Sequence, residues 1–265
     1  MNARLEKLKI VLGTFAIEGT ERNFSGDKVR EIHANRGIEF KVIIDHIAQS
    51  AKTLDMPLEF QRGDGKIFSI SEFQDFVIHR GNWGASVFLG SLKVQAGFVP
   101  SLNQGFVLIE EEESGAARSW DVWVEPFLSE PSFVEAWVSD AEYDYWQNAS
   151  DPLEFEAAGK SVDQLPLVSN GLPAPLDQMI VDTSSNPGRW IMRDGYIEAV
   201  GSTMWLGEKF FECVGKEGNG TGLDDDVLSI SSPKHGILKI ENKSGPFINV
   251  ESSTIQNYLR SALYN

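Results

Sequence analysis

Residues 91–125 read SLKVQAGFVPSLNQGFVLIEEEESGAARSWDVWVE. Leu92, Val94, Ala96 and Phe98 alternate with Ser91, Lys93, Gln95 and Gly97, the period of two that sends each set to its own face of a strand. Residues 100–105 are turn-rich, Phe106 to Glu110 resume an extended run, and Ser114–Gly115 break it. Trp120, Val122 and Val124 then alternate with Asp121, Trp123 and Glu125. Three strands joined by short polar loops predict an antiparallel meander.

Upstream, residues 8–15 read as a first strand. Phe40, Ile43, Ile44, Ile47, Ala51 and Leu54 recur at helical spacing and predict an amphipathic helix over 40–54. A short strand over 66–70 follows, and Ser71 with Gln74 fits a capping box opening a helix. Downstream, Ser129 and Pro131 predict a helix to Gln147, with Phe133, Val134, Trp137, Val138, Ala141 and Tyr145 inward and Glu135 and Glu142 on the far side. Asp194–Gly195 marks a hairpin between 189–192 and 196–200. A helix is expected over 202–214, ended by Gly215, then a second hairpin turning at 234–236, then a helix from Ser253 with Ile255, Leu259 and Leu263 inward. Strands and helices mix without regular βαβ alternation, so the expected class is α+β: an antiparallel sheet of meander and hairpins packed with several helices. One domain is expected, with two possible lobes, 1–156 and 176–265, joined by the Pro-rich stretch 157–175.

The chain has 265 residues, 42% hydrophobic and 23% charged, with a net charge of −16, the composition of a folded globular protein. A single cysteine, Cys213, excludes an intrachain disulfide; it is read as a packing residue. Arg4, Lys7 and Lys9 precede a short apolar run, 10–17, that contains Gly13 and Thr14 and leads to no small-residue cleavage site. No stretch approaches the ~20 apolar residues of a membrane helix. A cytoplasmic protein without membrane contact is expected, and the three N-x-S/T triplets at Asn148, Asn219 and Asn242 are read as chance.

The charge is concentrated. Residues 110–156 hold 14 carboxylates against the single Arg118, a net of −13, interleaved with Trp120, Trp123, Phe127, Phe133, Trp137, Tyr143, Tyr145, Trp146 and Phe155. That aromatic content marks folded structure with a negative face. Such a field repels phosphate backbones, whose binding needs Lys and Arg, and speeds encounter with basic proteins.

Catalytic motifs are absent: no phosphate-binding Walker loop, GxSxG, HExxH or GxGxxG occurs. His33, His46, His79 and His235 lack ligand spacing. Asp224, Asp225 and Asp226 follow the glycine-rich 218–222, but not at EF-hand spacing. Asp226 with Glu241 and Lys243 has the order found in restriction-type nucleases, where carboxylates hold Mg²⁺ and the lysine assists water. A metal-dependent hydrolase is therefore one alternative reading, and a non-catalytic adaptor subunit another. No cofactor is expected.

Residues 165–211 contain Gly188-Arg189-Trp190, the Arg193-Asp194-Gly195 turn and Met204-Trp205-Leu206-Gly207. This stretch, about a fifth of the chain, resembles the immunity protein 52 family of bacterial polymorphic toxin systems. The resemblance implies a non-catalytic protein that binds and silences a cognate toxin encoded nearby, often a nuclease delivered between bacteria. Beside it, the charge pattern points to a basic partner met by an acidic and aromatic surface. The residues expected to carry that contact are Glu135, Asp140, Glu142, Asp144, Trp146, Asp224, Asp225 and Asp226.

Overall fold

In the computed structural model, β1 (Glu6–Gly13) lies in the interior of a large sheet, and its sequence carries the reason. Leu8, Ile10 and Leu12 face one hydrophobic cluster, while Val11 joins a second cluster on the opposite face. Next come β2 (Phe15–Phe24), β3 (Asp27–Asn35), helix α1 (Phe40–Thr53), β4 (Glu59–Arg62), β5 (Ile67–Ser69) and helix α2 (Ile70–Arg80). Then follow β6 (Val87–Leu89), β7 (Leu92–Val99), β8 (Gln104–Glu111), the short helix α3 (Trp120–Val124) and β9 (Phe133–Asp140). Two helices, α4 (Ala141–Asn148) and α5 (Pro152–Ala157), lead to β10 (Leu167–Ser169), β11 (Met179–Val181), β12 (Ile191–Met192) and β13 (Ile197–Glu198). The chain closes with β14 (Thr203–Leu206), α6 (Glu208–Val214), β15 (Leu228–Lys234), β16 (Ile237–Asn242) and α7 (Ser253–Tyr264). The structure describes residues 4–24, 27–35, 37–216, 222–249 and 252–264, with 15–24 and 27–35 described by their backbone. The side chain of His33 and the Asn219 triplet lie outside the described residues.

Ten strands form one sheet in the order β15-β16-β14-β9-β1-β8-β7-β6-β4-β5, and every neighbouring pair is antiparallel. β2–β3, β10–β11 and β12–β13 are separate two-stranded ribbons. The fold is α+β, as the alternating patterns predict. Strands from before and after the Pro-rich stretch share the sheet, because β14 pairs with β9. Helices α1 and α2 cover one face through Phe40, Ile43, Ile44, Ile47, Phe73 and Val77. Helices α6 and α7 cover part of the other through Phe210, Phe211, Leu259 and Leu263. No helix among the described residues is long and apolar enough to cross a membrane.

Three sequence expectations are corrected. Residues 120–125 form α3 and the start of a 3-10 turn, not a third meander strand. Six alternating residues fit either period; packing decides, since Trp123 is fully buried and its Nε1–H donates to Ala117 O at 2.9 Å. Residues 133–140 form strand β9, not part of a long helix. An interior strand is buried on both faces, and the apolar residues of β9, interrupted only by Glu135 before Ser139, mimic a helical stripe. The helix expected over 202–214 is divided at Gly207 into β14 and α6. A Cβ at Gly207 would stand 2.9 Å from the Phe133 ring. Cys213 is also exposed and not packed inside.

Candidate functional site

The structure disperses the residues expected to meet a partner. Glu135 is completely buried on β9, with Oε1 accepting the Ile197 N–H at 2.7 Å. It therefore cannot form part of a docking face. Burial pushes its carboxyl up to about 8, against the opposing pull of the Ile197 bond and of Lys9. Asp140 is buried as the N-cap of α4, accepting the Tyr143 N–H at 2.8 Å and lying 3.3 Å from Arg4 Nε. Asp144 is buried against Lys7. Trp146 is half-buried between Tyr145 and Phe155. Glu142, Asp224, Asp225 and Asp226 are exposed.

The acidic segment thus divides between structural and surface carboxylates. Glu111 is buried and accepts the amides of Glu6 and Ala117, each at 3.0 Å. Glu130 holds His46 at 2.7 Å, and Asp121 holds Lys239. Four carboxylates of the segment, Glu111, Glu135, Asp140 and Asp144, are thus buried and take no part in an acidic surface. Around the β15–β16 hairpin, Glu241 Oε1 lies 3.0 Å from Lys239, whereas Lys243 Nζ donates to the Asp225 carbonyl. Among the described residues no group of three or more His, Cys, Asp or Glu is placed to hold a metal ion.

Two other features stand out. The first is a cleft of about 370 Å³ on the sheet face opposite α1, a volume within the range of small-molecule sites. Its floor is built by Lys7 and Lys9 of β1 and by Trp137 and Ser139 of β9, and Trp190 forms one wall. The register pairs Lys9 with Trp137 and Lys7 with Ser139, so the four side chains share a face. Lys7 is paired with Asp144 at 2.5 Å. Lys9 Nζ instead lies 4.7 Å from the Trp190 ring centre and 5.8 Å from those of Trp137 and Phe106. Burial pushes the Lys9 ammonium below its usual range, and neighbouring Asp144, Glu135 and Glu110 oppose the shift.

The second feature is the β10–β11 ribbon, which stands outside the main sheet. Val181 anchors it to Ala149 and Phe155, and its N–H donates to Ser150 O at 2.8 Å. Beyond that anchor, Leu167, Val168, Leu172, Leu176 and Met179 are exposed, Leu176 by 64%. The tip is nevertheless ordered by Asn170, whose Nδ2 donates to Leu176 O at 2.9 Å and whose Oδ1 accepts the Leu172 N–H at 3.1 Å. Ser169 Oγ donates to Asp177 Oδ1 at 2.7 Å. Residues 150–182 carry Asp151, Glu154, Glu156, Asp163, Asp177 and Asp182 against Lys160 alone, and the Lys160 ammonium sits 4.5 Å over the Trp146 ring.

No family model and no curated protein matches the chain. The resemblance to the immunity protein 52 family expected from residues 165–211 therefore gains no support from either comparison. Among solved structures, the chain is similar to a Pseudomonas aeruginosa T6SS protein, PA0821, with a TM-score of 0.49 and 8% identity. The match covers 99% of this chain and 74% of that one.

Sequence reasoning passed over both features. A strand of an interior type that alternates Lys7, Leu8, Lys9 and Ile10 places two ammoniums on one face of a sheet, which is costly unless something there uses or pairs them. That alternation was the available signal for the cleft. The ribbon's signal was LPLVSNGLPAPLDQMIV, an apolar stretch in a Pro-rich segment without the period of a helix or of a half-buried strand.

Proposed function

We propose that this protein is a non-catalytic binding protein that docks a basic protein partner through the β10–β11 ribbon and the adjoining α5. One observation carries the reading: an ordered ribbon outside the core exposes five large apolar side chains amid six carboxylates and one engaged lysine. Apolar side chains held in place without being buried are the anchors of an interface, and prior ordering lowers the entropy lost on docking. The surrounding negative charge selects a positively charged partner and speeds its arrival. The finer form of the proposal is an immunity protein that silences a toxin encoded beside it. The resemblance of residues 165–211 supports that form, and the ribbon lies within the same stretch.

The test is co-expression with the product of the adjacent gene, followed by co-purification and titration calorimetry. A complex that weakens as salt rises and is lost in Leu172→Ser/Leu176→Ser is expected, with rescue of cells from the neighbouring toxin. Failure of rescue, or undiminished binding by the double variant, overturns the proposal. So does a homodimer in sedimentation that the same variant abolishes, because the ribbon is then covered by a second copy.

A further inference from the structure

The cleft over β1 and β9 goes beyond the docking proposal: it shares Asp151 and Glu154 with that surface, but its floor involves neither the ribbon nor its apolar side chains. Its floor carries two ammoniums, Lys7 and Lys9, against one carboxylate, Asp144, which Lys7 already engages. Among the described residues Lys9 makes no hydrogen bond or ion pair; three aromatic rings flank its ammonium, and the charges of Asp144, Lys7, Glu135 and Glu110 reach it only without direct contact. Ser139 Oγ, on the same face of β9, is buried and likewise has no hydrogen-bond partner. A mostly enclosed ammonium and a buried hydroxyl left unsatisfied together are costly, and a ligand that satisfies both offsets that cost. One donor from each matches the two oxygens of a single carboxylate.

The rim has the opposite sign. Asp151 and Glu154 are exposed at the mouth of the same cleft, and Trp190 and Leu108 supply apolar walls between floor and mouth. A dianionic phosphate is disfavoured there, because the mouth is acidic and the floor offers one free ammonium. We propose that this cleft binds a small zwitterion of the amino-acid or dipeptide class, with its carboxylate on Lys9 and Ser139, its side chain against Trp190, and its ammonium toward Glu154 and Asp151. Desolvation of Lys9, which already lowers its affinity for a proton, accords with an ammonium kept from water until an anion covers it.

Titration calorimetry of the full chain with phenylalanine, leucine and leucyl-phenylalanine tests this, with hexanoate as the carboxylate-only probe and hexylamine as the ammonium-only probe. The zwitterions are expected to bind, hexanoate more weakly, and hexylamine not at all; the ratio of phenylalanine to dipeptide affinity separates the two ligand sizes. Lys9→Met is expected to lower zwitterion and hexanoate affinity by about tenfold or more, the loss of one charge-assisted hydrogen bond. Glu154→Gln is expected to weaken the zwitterions and leave hexanoate unchanged. If Lys9→Met does not fold, Ser139→Ala decides, because it removes only the hydroxyl and is expected to weaken every carboxylate probe. Silence from all probes, binding untouched by these floor variants, or hexanoate as tight as phenylalanine overturns the proposal.

Discussion

Lys7 Nζ lies 2.5 Å from Asp144 Oδ2, joining an interior strand to the helix that follows β9. Both side chains are largely enclosed, at 18% and 10% exposure. Removing one partner strands the other charge. Asp144→Ala is expected to cost roughly 2–3 kcal/mol in urea denaturation, below the range for fully buried pairs because some water reaches Lys7. Lys7→Met in the same chain is expected to recover part of that loss, because the ammonium stranded by the first substitution is gone. Equal stability of the single and double variants contradicts this account.

Glu135 makes stability depend on pH. Its folded carboxyl titrates at about 8, far above the ordinary value of 4.5, so between these two values the native state holds a proton that the unfolded chain has released. Stability is then greatest below the unfolded value and falls as pH rises through the window toward 8. Glu135→Gln keeps the acceptor for Ile197 and removes the titration. The variant is expected to lose less stability than the parent between pH 6 and pH 8.5, by an amount on the order of a few kcal/mol. Parallel pH profiles for the two proteins contradict the assignment.

The start of α2 discriminates two serines. Ser69 Oγ accepts the Glu72 N–H and Glu72 Oε2 accepts the Ser69 N–H at 2.8 Å, a complete capping box. Ser69→Ala is expected to cost about 1 kcal/mol, whereas Ser71→Ala, inside the first turn, is expected to change stability by less than about 0.5 kcal/mol. Thermal or urea unfolding of the pair is the measurement.

Gly201 sits where the chain enters β14 and touches β9. A Cβ there would lie 2.5 Å from the Val138 carbonyl oxygen and 2.8 Å from Trp137 Cβ, neither of which is the end of a flexible side chain. Gly201→Ala is expected to destabilise by about 1–3 kcal/mol, the usual range for overpacking, and to weaken the Ser202 N–H to Val138 O bond. Faster amide exchange at Ser202 is the specific sign.

Legibility in the sequence followed burial. Strands with one face toward helices, such as β7, alternate cleanly and were read to within a residue; α1 was read the same way from its apolar stripe. The Asp194–Gly195 hairpin was legible because its turn demands a residue at positive φ, and Gly195 has φ 81°. β9 was not, because burial on both faces erases its period. The α2 cap was placed two residues late, since Ser71 with Gln74 and Ser69 with Glu72 satisfy the same spacing and only the geometry chooses. The carboxylates misled for a related reason: their number is visible in sequence, but whether each one caps a helix, meets a lysine or faces water is fixed by contacts between distant segments. Glu111 and Glu6 are 105 positions apart, yet share a hydrogen bond.

β1 is flanked in the sheet by β8 and β9, neither of which follows it closely. On the ribosome it must wait for roughly 90 more residues before its first neighbour exists, on the order of 5–20 s at usual rates of synthesis. During that interval a strand rich in Leu, Ile and Val is a hazard for association with other nascent chains. Lys7 and Lys9 interrupt its apolar run with positive charge throughout the wait. The same two side chains that later line the cleft therefore guard the newborn segment, and replacing both with apolar residues is expected to penalise yield in the cell more than it penalises the finished fold.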